Sequence, residues 1–176
     1  MWRTAKRKLF TAKRYPPGAP ETVELFKAAA IKGGLPLAWA SDPDLHYILK
    51  RESGGWVGRP NYTYGKAHEL YNQDQWPAIW AELKQRPDLK ILPKSLIRTK
   101  STATGLGQLL SSNAAKFYPS GRQGIGNALE EAVGYMKYIR SRYGSPQAAR
   151  SVYNRKGWFV HAVTGKKTEK TFREGY

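Results

Sequence analysis

The chain has 176 residues, of which 40% are hydrophobic, and this is enough to bury one core in one domain of ordinary size. It contains no cysteine, which excludes disulfides and thiolate metal sites, and its three histidines lie far apart, so neither a metal nor a cofactor is expected. No apolar run approaches the length of a membrane span. The formal net charge of +17 favours polyanionic partners, which include nucleic acids and bacterial cell-wall polymers.

Residues 1–20 are first basic and then rich in proline, which predicts a flexible or extended arm. The arm begins MWRTAKRKLFTAKRY, which has the basic flank of a signal peptide without the apolar segment that should follow it. We therefore expect no cleaved signal peptide.

Two helices are predicted next. The first begins at a proline in PETVELFKAAAIKGG and ends at Gly33-Gly34. The second is SDPDLHYILKRESGG, with Ser41 as the N-cap, Pro43 in the first turn and Gly54-Gly55 as its end.

Residues 58–66 are predicted to form a loop. A helix follows around DQWPAIWAELKQR, and the longest helix is IGNALEEAVGYMKYIRSRYG, which ends at Gly144. Ser145-Pro146 then begins a short helix through QAARSVYN. The fold class is mainly α, with a domain over residues 21–163 and a polar tail over 164–176.

Glu52 stands out by its position in the second helix. Leu45, Ile48 and Leu49 form an apolar face, and Glu52 continues that face at the C-terminal end of the helix. Partial burial and the helix dipole both favour the neutral carboxylic acid, which is the form that can protonate a glycosidic oxygen. On spacing alone, a solvated glutamate at a helix end is the competing interpretation.

Three motifs occur in a fixed order: Glu-Ser-Gly-Gly at 52–55, S-x-A-x-G-L-G-Q at 101–108, and Tyr153-Asn154. Together they resemble the soluble lytic transglycosylase family, and the segment YIRSRYGSPQAARSVYNRKGWF is similar to the final helices of phage-type members. The resemblance covers roughly residues 36–158, interrupted by an insertion at about 58–100. Three ordered motifs are more specific than any one of them.

The resemblance implies a lysozyme-like fold and a role for each motif. Glu52 would protonate the oxygen between N-acetylmuramic acid and N-acetylglucosamine, and would then accept the proton of the sugar's own C6 hydroxyl, which closes a 1,6-anhydro ring. Tyr153 would hydrogen-bond Glu52, and Ser53 would orient it. The residues implied at the substrate site are Ser53, Ser101, Gly105, Leu106, Gln108, Tyr153 and Asn154.

Two departures from the family pattern leave more than one function open. Gly107 occupies the usual methionine position, and the insertion brings four further acids, Glu69, Asp74, Glu82 and Asp88. One of these acids as a second carboxylate would give a hydrolase, a muramidase of the goose-type lysozyme kind. Trp76 and Trp80 of the insertion either wall a glycan subsite or pack it onto the core. A polyanion- or nucleic-acid-binding module and a catalytically silent wall-binding protein also stay open as functions.

The partners that follow are bacterial peptidoglycan, anionic wall or envelope polymers, and phage virion proteins, with nucleic acid not expected as the primary ligand. The phage-type resemblance implies either a host cytoplasm followed by the cell wall or periplasm, or the virion itself.

Overall fold

The structure, a computed structural model, describes residues 9–61, 73–86 and 101–163, with side chains described as far as Asn154. The described residues form six α-helices, and the prediction of a mainly α fold is confirmed. They are α1 (Pro20–Gly33), α2 (Pro43–Glu52), α3 (Trp76–Gln85), α4 (Ser111–Phe117), α5 (Ala128–Tyr143) and α6 (Pro146–Val163). Within these ranges, β pairing is limited to isolated bridges. No described helix is both long and apolar enough to cross a membrane.

The central element is α5, which is buried along most of its length and contacts α1, α4 and α6. The side chain of Asn127 caps its first turn by accepting from the backbone N–H of Glu130, and Gly144 ends it, as the sequence predicts. The hydroxyl of Tyr135 donates to the backbone oxygen of Leu45 at 2.8 Å. This bond fixes α5 against α2, the helix that carries Glu52.

Most helix ends follow the sequence signals, and three do not. The start of α5 is one of the three, because Ile125 ends a 3-10 helix and α5 begins at Ala128. Gly34 takes the left-handed conformation that ends α1. The predicted N-cap of α2, Ser41, is wrong, because Ser41 ends a short 3-10 helix and the Asp42 side chain accepts from the backbone N–H of Asp44 at 2.8 Å. The last helix is longer than predicted, since no proline follows Asn154 and a single internal glycine costs a helix only about 1 kcal/mol.

The described part of the insertion packs onto the core through its tryptophans. Trp76, Ile79 and Leu83 of α3 are buried in a second apolar cluster with residues of α4 and α5. Trp80 lies over Gly58 and Gly126, and its indole N–H donates to the backbone oxygen of Gly58 at 2.7 Å. Of the insertion's acids, Glu69 and Asp88 lie outside the described residues.

Residues 9–19 of the predicted arm contain a turn at Pro17-Gly18 and pack against the domain. Tyr15 is buried, and its backbone N–H donates to Gly55 at 2.8 Å, while the N–H of Val57 donates to Lys13 at 3.0 Å. Gly55 has a φ of +85°, and a Cβ atom there would overlap the carbonyl of Tyr15. Gly55 must therefore be a glycine, because the backbone of Tyr15 passes too close to it for any side chain.

Candidate active site

Glu52 is the last residue of α2 and is partly buried. The apolar face predicted for this helix is present, because Leu45, Ile48 and Leu49 are all completely buried. The carboxylate thus lies where a buried face meets the surface.

Three tyrosines lie close enough to Glu52 for its charge to act on their hydroxyls: Tyr138 and Tyr143 from α5, and Tyr153 from α6. Burial raises the pKa of all three hydroxyls, and the negative charge of Glu52 raises each of them further. The pKa of Tyr143 reaches about 12. At neutral pH these hydroxyls therefore keep their protons and can donate hydrogen bonds to an anion.

Tyr153 forms a direct hydrogen bond with the Glu52 side chain. Burial and the charge of Glu52 raise the pKa of Tyr153, the hydrogen bond to Glu52 adds to the rise, and Arg51 opposes it. The tyrosine ring packs edge-on against Tyr47 of α2, with centroids 6.4 Å apart. The Tyr47 hydroxyl donates to the exposed Asn154 at 3.2 Å, so both residues of the last motif contact the helix of Glu52.

Ser53 joins the first motif to the second. Its side chain is fully buried, and its hydroxyl donates to the backbone oxygen of Leu106 at 2.8 Å while accepting from the N–H of Gly55 at 3.1 Å. The resemblance implies that Ser53 contacts the substrate, but the Ser53 side chain has no exposed surface through which it could do so. Ser53 instead positions the turn that contains Leu106.

The turn at 104–109 is closed by paired backbone bonds between Thr104 and Leu109. Gly105 has a φ of +81° and Gln108 a φ of +51°, which is uncommon for a residue with a side chain. The amide nitrogen of Gln108 donates to the backbone oxygens of Arg59 at 2.7 Å and Gly105 at 2.9 Å. Gln108 is only partly buried, so it combines a structural role with access to the surface.

The remaining residues of the second motif are more enclosed than the resemblance implies. Gly105 and Leu106 are buried, and the Leu106 side chain packs in the main core. The resemblance implies that this turn holds the glycan through Gln108 and backbone groups, and that contact stays a prediction. Ser101 is partly buried, and its hydroxyl accepts from the N–H of Ala103 at 3.1 Å. At Gly107, a Cβ atom would lie 2.5 Å from the ring of Tyr135, so the usual methionine has no room.

Glu131 is a residue of this region that its sequence context does not reveal. It is completely buried, and its carboxylate accepts three backbone N–H bonds: Gly58 and Leu106 at 3.0 Å, and Gly126 at 2.8 Å. Burial raises its pKa to about 7, against the opposing effect of the three N–H bonds and the charge of Lys84. A Cβ atom at Gly105 would lie 2.6 Å from the same carboxylate.

Glu131 therefore ties the loop after α2 and the 104–109 turn to the central helix. The signal that could have revealed it is the periodicity of α5, because position 131 lies one helical turn from Ala128 and from Tyr135, both of which are buried. From the sequence alone, Glu131 is expected to be an ordinary acidic residue in the first turn of a helix.

No group of three or more His, Asp or Glu side chains is placed to hold a metal ion in the part of the chain that the structure describes. A scan against protein-family models, a search of curated proteins and a search of solved structures each find no match for this chain. The lysozyme-like fold and the transglycosylase family therefore stay predictions.

Proposed function

We propose that this protein is a peptidoglycan lytic transglycosylase with a lysozyme-like fold, in which Glu52 is the catalytic acid and base. The observation that carries the proposal is the convergence of three sequence-distant motifs on one carboxylate. Ser53 bonds the 104–109 turn through Leu106, and Tyr153 of the last motif bonds Glu52 itself. Such convergence is typical of a catalytic constellation held by rigid elements.

The chemistry needs one carboxylic acid in this position. Glu52 protonates the glycosidic oxygen as the bond from C1 of the N-acetylmuramic acid breaks, and the carboxylate that results is stabilised by the Tyr153 hydroxyl. The C6 hydroxyl of the same sugar then attacks C1 and gives its proton to Glu52. The products are a 1,6-anhydro end and a free N-acetylglucosamine hydroxyl, and no water is consumed.

Glu131 is not suited to act as a second catalytic carboxylate, although a pKa of about 7 would suit proton transfer. Its side chain has no exposed surface, and both oxygens face backbone N–H groups. A hydrolytic mechanism would need an acid that can activate a water molecule beside the sugar. Glu131 therefore does not supply the second carboxylate that a muramidase would need.

The test is to replace Glu52 with Gln, which keeps the shape and removes the transferable proton. Lysis of purified cell walls should fall by orders of magnitude while the circular dichroism spectrum is unchanged. Glu82→Gln, in the insertion, is the matched control and should retain activity.

Mass spectrometry of the wild-type digest should show 1,6-anhydro ends, each one water lighter than a reducing end. Near-normal lysis by a folded Glu52→Gln protein would contradict the assignment of the acid. Reducing ends together with an inactive Glu82→Gln protein would identify a muramidase instead.

A further inference from the structure

Four arginines contact the immediate surroundings of Glu52. Two of them bind the backbone just after it. The side chain of Arg14 donates through Nε to the backbone oxygen of Gly54 at 3.1 Å, and Arg59 donates through Nη1 to the backbone oxygen of Ser53 at 3.0 Å. Arg14 also lies 5.3 Å from the ring centre of Trp56.

The second pair of arginines lies near the tyrosines that are close to the carboxylate. The guanidinium of Arg142 is 5.9 Å and 5.8 Å from the ring centres of Tyr138 and Tyr143, and the charge of Arg51, the residue before Glu52, lowers the pKa of Tyr153. Each of these two guanidinium groups is therefore linked to the surroundings of Glu52 through a tyrosine.

Among these arginines, a contribution to the stability of the fold is expected mainly from Arg59, which is partly buried and donates to the backbone oxygen at the end of α2. The side chains of Arg14, Arg51 and Arg142 are exposed, and polar contacts of exposed side chains usually add little to stability. The contacts with backbone carbonyls and aromatic rings nevertheless place the guanidinium groups of Arg14, Arg59 and Arg142 beside Gly54, Ser53 and the tyrosines near Glu52. A guanidinium has five N–H donors in a planar fork that matches a carboxylate, so several of them near one site are suited to bind anionic groups.

We infer that Arg14, Arg51, Arg59 and Arg142 form a recognition site for carboxylate groups carried by the glycan on either side of the bond that Glu52 cleaves. The inference rests on the proposed function and narrows its substrate to glycans that bear free carboxylates, such as those of peptide stems. A neutral glycan of the same length gains only hydrogen bonds and stacking.

The experiment compares kcat/KM on two forms of one soluble wall glycan, one with free peptide carboxylates and one with those carboxylates converted to amides. The wild type should prefer the free carboxylates. Arg14→Gln and Arg142→Gln should each reduce that preference roughly twofold to fivefold, as expected for exposed charge pairs. The double variant should multiply the two losses, since the residues bind different parts of the site.

Arg140→Gln is the matched control. Arg140 is also exposed and also donates to a backbone carbonyl at a helix end, that of Gly34 at 2.9 Å, but that carbonyl ends α1. The control removes the same charge, so an effect of net charge alone would reduce the preference equally. The preference is a ratio measured on a single preparation, and it is therefore independent of how much of a variant is folded.

A preference that falls in the Arg14 and Arg142 variants and is unchanged in Arg140→Gln supports the site. Equal cleavage of both glycan forms by the wild type, or an equal loss in the Arg140→Gln control, would overturn the inference and leave the proposed function intact. If neither form is cleaved, the proposed function fails and the inference fails with it.

Discussion

The buried carboxylate of Glu131 makes a quantitative prediction about stability and pH. Its pKa is about 7 in the folded chain against an ordinary value of 4.5, so the folded state holds the proton more tightly than the unfolded state. The contribution of Glu131 to stability is then fully present below pH 4.5 and is lost as the pH rises through about 7. At about 1.4 kcal/mol for each pKa unit, the full loss is about 3 kcal/mol.

Glu131→Gln removes this pH dependence. The amide cannot become charged, but it presents one N–H₂ group where the carboxylate accepts from backbone N–H groups, which leaves at least one buried donor unsatisfied at a cost of about 1–3 kcal/mol. The variant should therefore be less stable than the wild type at pH 5. At pH 8 the cost of burying the wild-type charge offsets that deficit, and the two free energies of unfolding should converge.

Urea unfolding followed by tryptophan fluorescence, from pH 5 to pH 8, measures the difference. Trp80 is a useful reporter because its indole N–H binds Gly58, one of the residues held by Glu131. The difference in the free energy of unfolding between the wild type and Glu131→Gln should shrink by about 2–3 kcal/mol from pH 5 to pH 8. Glu130→Gln, at a neighbouring carboxylate that binds Ser120 near the surface, controls for the loss of one negative charge.

A difference that stays constant with pH would refute this reasoning. A wild type that gains stability over the variant as the pH rises would show that the three N–H bonds outweigh burial, which places the folded pKa below its ordinary value.

Two further changes test the site and its support. Tyr153→Phe should slow glycan cleavage roughly tenfold to a hundredfold, because a hydrogen bond to a charged group contributes about 1.5–3 kcal/mol. The same change should move the pH–rate profile to higher pH. Tyr47→Phe is the control, and an unchanged profile in Tyr153→Phe would make Tyr153 a packing residue. Gly55→Ala should lower the free energy of unfolding by about 2–4 kcal/mol through left-handed strain and overlap with Tyr15. Gly34→Ala, also left-handed but with open space around it, should cost only about 1 kcal/mol in urea unfolding; equal losses would show that the arm is not packed there.

Much of the fold follows from local signals in the sequence. The start of α1 at a proline, its end at Gly34, and the end of α5 at Gly144 follow from capping and glycine chemistry. The apolar face of α2 follows from spacing, and it places Glu52 correctly at the edge of the core. These features depend on neighbours within a few residues, which a sequence shows directly.

The features that the sequence does not reveal depend on contacts between distant segments. Nothing near Glu131 in the sequence indicates that Gly58, Leu106 and Gly126 converge on it. The packing of Tyr15 across Gly55 is equally invisible, since a basic, proline-rich segment has the composition of a free arm. Ser41 and Asp42 are equally good N-cap candidates by residue type, and only the 3-10 helix that ends at Ser41 decides between them.

The contact between α2 and α6 also determines when the site can form as the chain is synthesised. Arg150 binds Asp44 across 106 residues of sequence, and Tyr47 binds Asn154 across 107. Closing loops of this length is slow compared with forming the helices themselves, so both helices should exist before they meet. Since α6 leaves the ribosome after every other described helix, Glu52 receives its tyrosine partner only at the end of folding. A nascent chain that stops before residue 146 would contain Glu52 but would lack α6 and its Tyr153.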